Sequence, residues 1–183
     1  MRKPGYNERK GGLMQIKRVN FNFNAERNLE ILSKAAFLTT KSGNKINTMV
    51  IGWGTTGVMW RMPVFIAMVR KCRFTYELLE KSREFTVTFP YADMPQAVQL
   101  CGSKSGRNMD KLALCGLKTL PGQKIDTPVL DVPGMHYECK IVYDRLMGPE
   151  KLDKALNELW YNKTPDDYHV FYIAEIVDSY LTD

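Results

Sequence analysis

The period of apolar and polar positions changes several times along the chain. LMQIKRV (13–19) alternates as a first strand does, and AERNLEILSKA (25–35) has the spacing of a turn or short helix. AFLTTKSGNKINTMVIGW (36–53) reads as a hairpin, with arms rich in Thr, Val and Ile and with Ser42-Gly43-Asn44 as its turn. Gly52, Gly54 and Gly57 punctuate the stretch between Trp53 and Trp60. Pro63 then opens PVFIAMV (63–69), a short continuous apolar run that suits a buried strand. RFTYELLEKSR (73–83) is helical in character with Thr75 placed as its N-cap, and EFTVTF (84–89) is a β run stopped by Pro90. DMPQAVQLC (93–101) and NMDKLALCG (108–116) predict two short helices joined by the polar loop GSKSGR. Residues 117–134, carrying Pro121, Pro128 and Pro133, predict mostly loop. MHYECKIVYDRLM (135–147) predicts a long strand, KLDKALNELWYN (151–162) an amphipathic helix, and HVFYIAEIVDSYL (169–181) a closing strand.

About six strands joined by short turns, with short helices inserted, predict a mainly β fold of the barrel type. A doubly wound dinucleotide domain is not expected: there is no regular βαβ alternation, and no GxGxxG follows a strand. A length of 183 residues fits one domain, here expected over 13–183 behind a flexible basic arm at 1–12. The arm shapes how the net charge of +6 is read. Arg2, Lys3, Arg9, Lys10, Lys17 and Arg18 face Glu8 alone in the first eighteen residues, leaving the remainder close to neutral. Nucleic acid is therefore not expected as a partner, since a reader of nucleic acid would carry its basic stripe on the folded domain. No apolar run reaches the ~18 residues of a membrane span, and no apolar segment follows the basic N-terminus as in a secretory signal, so the expectation is a cytoplasmic protein. Cys72, Cys101, Cys115 and Cys139 form no CxxC pair, so free thiols are expected rather than a metal site.

Hydrolytic patterns are missing: there is no GxSxG and no HExxH, and His136 and His169 fall on separate strands as structural or peripheral groups. Anion-binding patterns are present. Arg70-Lys71-Cys72-Arg73-Phe74-Thr75 joins the end of a buried strand to a helix start, where free N–H groups and the helix dipole favour a phosphate and basic side chains would complement it. An ordinary strand–helix junction with solvated arginines is the alternative. Ser103-Lys104-Ser105-Gly106-Arg107 is a second basic loop, ahead of a helix containing Lys111, and reads equally as an anion site or a surface loop. In Asn47-Thr48-Met49-Val50-Ile51-Gly52-Trp53-Gly54, the Asn47 amide offers donor and acceptor, and Trp53 offers a ring for a flat heteroaromatic group; core packing is the alternative.

Four segments in order, KINTMVIGWG (45–54), PVFIAMVRKCRFTYELLEKSREFTVTFP (63–90), LCGSKSGRNMDK (100–111) and YHVFYIAEIV (168–177), resemble the flavin reductase-like, FMN-binding split-barrel family, most closely its flavoredoxin-type members. The resemblance implies a Greek-key split barrel, paired as a homodimer with FMN near the interface. It places Asn47, Thr48 and Met49 at the polar edge of the isoalloxazine and Trp53 beside the ring. It assigns Arg70, Cys72, Arg73 and Thr75 to the phosphate side, with Cys72 standing where the family usually has serine. Ser105, Gly106, Arg107 and Lys111 match the family's second flavin-side loop and helix. No catalytic acid or base is then required, because hydride transfer is the cofactor's own chemistry. The implied function is an oxidoreductase whose FMN takes hydride from NADH or NADPH and passes electrons to flavin, a metal complex or a redox protein. An electron carrier without efficient pyridine nucleotide oxidation is the alternative, and a barrel binding some other ligand a third.

Overall fold

The computed structural model describes residues 6–9 and 12–183. In chain order these form β1 (Tyr6–Arg9), β2 (Gly12–Arg18), α1 (Ala25–Ala35), β3 (Ala36–Ser42), β4 (Lys45–Ile51), β5 (Gly54–Met59) and β6 (Met62–Arg70). There follow α2 (Phe74–Ser82), β7 (Glu84–Pro90), α3 (Pro95–Ser103), α4 (Lys111–Leu114), β8 (Thr119–Leu120) and β9 (Val129–Leu130). The chain ends with β10 (Gly134–Leu146), a single 3-10 turn (Pro149–Lys151), α5 (Lys154–Tyr161) and β11 (His169–Thr182). The arm expected over 1–12 lies partly outside the described residues; its described part, Tyr6–Arg9, is paired with Gly12–Gln15 as a hairpin.

Among the described residues, nine strands share one antiparallel sheet of order β1-β2-β11-β10-β7-β3-β4, with β6 on β11 and β5 on β6. β11 explains why the barrel is split. One of its edges is taken by β10; the other is divided between β6, over His169–Glu175, and β2, over Tyr180–Thr182. The sheet curls until β4 and β6 face each other across an unpaired seam. Inside lies an aromatic core in which Phe65, fully buried, packs against Phe85, Phe89 and Tyr137 at centroid distances of 6.2–6.3 Å. Burying one such ring contributes roughly 1.5–3 kcal/mol.

The β3–β4 hairpin turns on Gly43-Asn44, with Gly43 at φ +57°, where glycine is favoured at the first position of a tight turn. The neighbouring β5–β6 hairpin turns on Trp60 and Arg61, both at positive φ without glycine. β5 itself was not expected: GTTGVM carries too few apolar residues to show alternation. α2 begins after extended Arg73, with no side chain capping it, and stops at Arg83, whose left-handed backbone returns its N–H to the Leu79 carbonyl. Thr75 is therefore the second residue of the helix, and the N-cap expected there is corrected to Arg73. α5 begins where the Asp153 carboxylate accepts from the N–H groups of Ala155 and Leu156, which fixes where Trp160 and Tyr161 emerge.

Candidate functional site

Two clefts lie along the seam beside β4, joined by Met49 and Arg73, which line both. The narrower, of about 100 Å³, is built from the start of α2, the 103–107 loop and Lys111. Asn47 forms its floor. The Asn47 amide donates to the Thr75 hydroxyl at 2.7 Å, both groups being buried, and so ties β4 to the first turn of α2. Gly106 lies directly against that amide: a Cβ there would come within 2.0 Å of Asn47 Oδ1 and 3.3 Å of the Phe74 ring. Only glycine lets the loop backbone close over the cleft. Ser105 accepts from the Arg107 N–H inside the same loop.

Lys111 is the least ordinary residue of this cleft. It is only 4% exposed, its ammonium donates to the Cys101 carbonyl at 3.3 Å, and no carboxylate pairs with it among the described residues. Burial, with the nearby Arg73 charge added, pushes the ammonium below its usual range. A buried ammonium held by one carbonyl is costly, and an anion in the cleft would offset that cost. Arg73 itself is exposed and has no ion-pair partner among the described residues.

The wider cleft, of about 230 Å³, is walled by Trp53, Trp160, His169, Met49 and Met68. Trp53 meets Trp160 edge-on at 4.9 Å and lies 4.8 Å from the His169 ring. His169 shares a 2.7 Å hydrogen bond with the Tyr161 hydroxyl; burial, reinforced by the Arg70 charge, lowers its pKa to about 4, so the ring is neutral at pH 7. The arrangement is a flat, thioether- and aromatic-lined slot opening onto a cationic pocket.

Three of the expected anion ligands have other work. Arg70 donates to the carbonyls of Trp160 and Asp167 and to the Thr164 hydroxyl at 2.8–3.1 Å, and lies 3.6 Å from the Asp167 carboxylate. The Cys72 N–H donates to Asp167 Oδ1 at 2.9 Å. Although burial opposes ionisation of Asp167, the bonds from Cys72 and the Arg70 charge hold its carboxyl below the usual range. Arg107 pairs with Glu77 and donates to the Cys72 carbonyl at 2.9 Å, latching the 103–107 loop to α2. Thr48 lies apart from both clefts: its side chain is buried on the opposite face of β4, bonded to Thr39. Trp160, His169 and Met68 were not expected in the site. His169 read as peripheral, and nothing in the sequence connects it with Trp53; the exposed aromatic at the end of an amphipathic helix was the one signal for Trp160.

The four cysteines are free thiols. Among the described residues, no helix is long and apolar enough to cross a membrane.

The family model described as flavin reductase like domain matches residues 30–183. A curated relative, an uncharacterised protein of Pyrococcus abyssi, is 30% identical over 102 residues, covering 56% of this chain; the chain spans 57% of that protein's length. Among solved structures, the FMN-binding domain of a flavin reductases-like enzyme from Shewanella baltica matches with a TM-score of 0.64 at 19% identity, over 91% of this chain and 77% of that one. Flavoredoxin from Methanosarcina acetivorans matches with a TM-score of 0.63 at 24% identity, over 81% and 68%. These likenesses establish the split-barrel fold.

Proposed function

The chain belongs to the flavin reductase-like domain family, and from that premise we propose that it is an FMN-binding oxidoreductase which takes hydride from NADH or NADPH and passes electrons to flavin, a metal complex or a redox protein. The observation that carries this reading is the pairing of a cationic pocket with an aromatic slot. Lys111, buried without a carboxylate partner, suits the terminal phosphate, and a pocket of about 100 Å³ has room for that group and little more. Arg73, the uncapped start of α2 and the loop at Ser105 and Gly106 complete the pocket. Trp53 and Met49 suit the ring, which would lie in the wider slot beside Trp160. Asn47 supports the pocket by holding Thr75 in place. Arg70, Cys72 and Arg107 serve as positioning residues: they fix the strap of residues 160–167 and the 103–107 loop that wall the clefts.

When bound, FMN supplies the hydride acceptor and the return of electrons. The chain's part is to orient it, to keep water from one ring face, and to leave the other open for the nicotinamide. His169, neutral and hydrogen-bonded to Tyr161, buttresses Trp53 and brings no positive charge to the site at pH 7.

A homodimer belongs to the same reading. Its support is the half-exposed row on the outer sheet face, where Ile66 and Met68 of β6 stand in register with Ile173 and Phe171 of β11.

The test is anaerobic titration of the FMN-loaded protein with NADH and with NADPH. Stoichiometric bleaching of the flavin absorbance supports the reductase. Bleaching only after addition of a separate reductase protein points to the electron carrier. Protein that stays colourless with excess FMN ends both readings.

A further inference from the structure

Two sulfurs meet behind the cationic pocket. Cys101 is on α3, 1% exposed, and lines the pocket together with Lys111. Cys115 follows directly after α4 and is half-buried against the same small apolar cluster, which Phe37, Ala97 and Leu130 complete. The two sulfurs are 4.0 Å apart. The other cysteines are placed differently: Cys72 is exposed at the strand–helix junction, and Cys139 is fully buried in the barrel.

The chain between these sulfurs is the second wall of the pocket. The two cysteines are 14 residues apart, and Ser103, Lys104, Ser105, Gly106, Arg107 and Lys111 all come from the segment they enclose. A disulfide is about 2.05 Å long, so the sulfurs must approach by about 2 Å to bond. α4 is a single turn, and its Leu114 is 62% exposed, so little packing holds Cys115 back from α3. Burial, with Cys115 beside it, raises the pKa of the Cys101 thiol, and Cys115 is the more open of the two; Cys115 is therefore the sulfur that an oxidant meets first. The Lys111 ammonium is near enough to both sulfurs for a thiolate on either to interact favourably with it.

We propose that Cys101 and Cys115 are an oxidation site, joined as a disulfide by hydrogen peroxide, and that this disulfide clamps the 103–111 segment over the flavin phosphate and slows the release of FMN. The Cys115 thiolate attacks one peroxide oxygen. The O–O bond breaks, hydroxide leaves and takes up the proton that the thiol had released, and Cys115 becomes a sulfenic acid. The Cys101 sulfur then attacks the Cys115 sulfur: the S–S bond forms, the S–O bond breaks, and the hydroxyl leaves as a second water with the Cys101 proton. Two electrons pass from the sulfur pair to the peroxide, and a thiol reductant returns them by exchange. Tying the segment at both ends limits the excursions by which it lifts, with no new contact to the phosphate. The clamp rests on the reading that places the flavin phosphate in this pocket.

The test treats the protein with hydrogen peroxide and follows two readouts. The first is mass spectrometry of tryptic peptides, in which cleavage after Lys104, Arg107 and Lys111 separates the two cysteines unless they are bonded. The second is the rate at which FMN fluorescence recovers on dilution, with riboflavin affinity as the control that has no phosphate. Joined peptides carrying Cys101 and Cys115 are expected, together with FMN release at least fivefold slower, riboflavin affinity within twofold, and reversal by dithiothreitol. Cys115→Ser is expected to release FMN as reduced wild type does, before and after peroxide. Sulfinic acid on Cys115 without joined peptides overturns the oxidation site. Joined peptides with FMN release unchanged or faster, or with riboflavin tightened as much as FMN, overturn the clamp. Protein that binds no flavin overturns the parent reading, while the joined peptides, which need no flavin, decide the oxidation site separately.

Discussion

Replacing Lys111 with methionine separates what the buried ammonium does for a ligand from what it does for the fold. Methionine keeps the volume and flexibility of the lysine stem and removes its charge. In the ligand-free protein the ammonium is 4% exposed with one carbonyl for a partner, so removing it relieves a desolvation cost. A gain of roughly 1 kcal/mol raises the melting temperature by about 2–4 °C for a domain of this size. With FMN the sign reverses. Loss of one charge-assisted hydrogen bond is worth roughly 1.5–3 kcal/mol, which is about a ten- to hundredfold weaker Kd. Riboflavin supplies the control, since it has the ring and ribityl chain without the phosphate. The assay is quenching of flavin fluorescence on titration with wild type and Lys111→Met, alongside thermal melts without flavin. The expected pattern is a higher melting temperature, weaker FMN and unchanged riboflavin. Equal weakening of both flavins, or no change in either, would refute the assignment of the narrow cleft to phosphate.

Three further predictions follow from the same geometry. Gly106→Ala puts a methyl group 2.0 Å from Asn47 Oδ1, so the 103–107 loop must lift; FMN affinity should fall at least tenfold by the same titration, and wild-type affinity would count against the loop as a wall of the pocket. Arg70→Ala removes three hydrogen bonds to the 160–167 strap; limited proteolysis should become faster there, with FMN affinity falling less than in Lys111→Met, and the opposite ranking would make Arg70 a direct phosphate ligand. Burial holds both His136 and His169 neutral in the fold down to about pH 4, against an ordinary value of 6.5. Between those pH values the unfolded chain binds the extra protons, so stability should drop by a few kcal/mol as pH falls from about 6.5 to about 4, and then cease to drop on their account. Asp167, held below its usual range, adds a loss at still lower pH. Urea unfolding midpoints across this range check the slope, and a flat profile that is the same in His169→Gln would contradict it.

The strands that build the barrel wall were legible because they pair strong β propensity with clear punctuation. The β3–β4 hairpin was readable from Gly43-Asn44, and β6 and β7 from short apolar runs bounded by proline. β5 was not, since Gly54, Thr55, Thr56 and Gly57 provide almost no apolar alternation and its turn uses Trp60 and Arg61 where glycine or asparagine is usual. The site divides the same way. Asn47, Thr75, Gly106 and Lys111 are the residues that local chemistry and family resemblance single out, and the structure gathers them around one pocket. Which arginines remain available was not legible, because it depends on acids distant in sequence: Asp167 engages Arg70, and Glu77 engages Arg107. Arg73 stays available because no acid among the described residues pairs with it. Trp160 and His169 join Trp53 through the return of β11 alongside β6, a long-range pairing with no local signature.

The central claim is that one flavin spans the narrow and wide clefts, and the measurement that tests it most directly is a crystal structure of the FMN-loaded protein. The phosphate is predicted within hydrogen-bond reach of the Lys111 ammonium and the first turn of α2, with the ring in the slot beside Trp53 and Met49. A phosphate held outside the narrow cleft, or a ring lying away from Trp53, would contradict it.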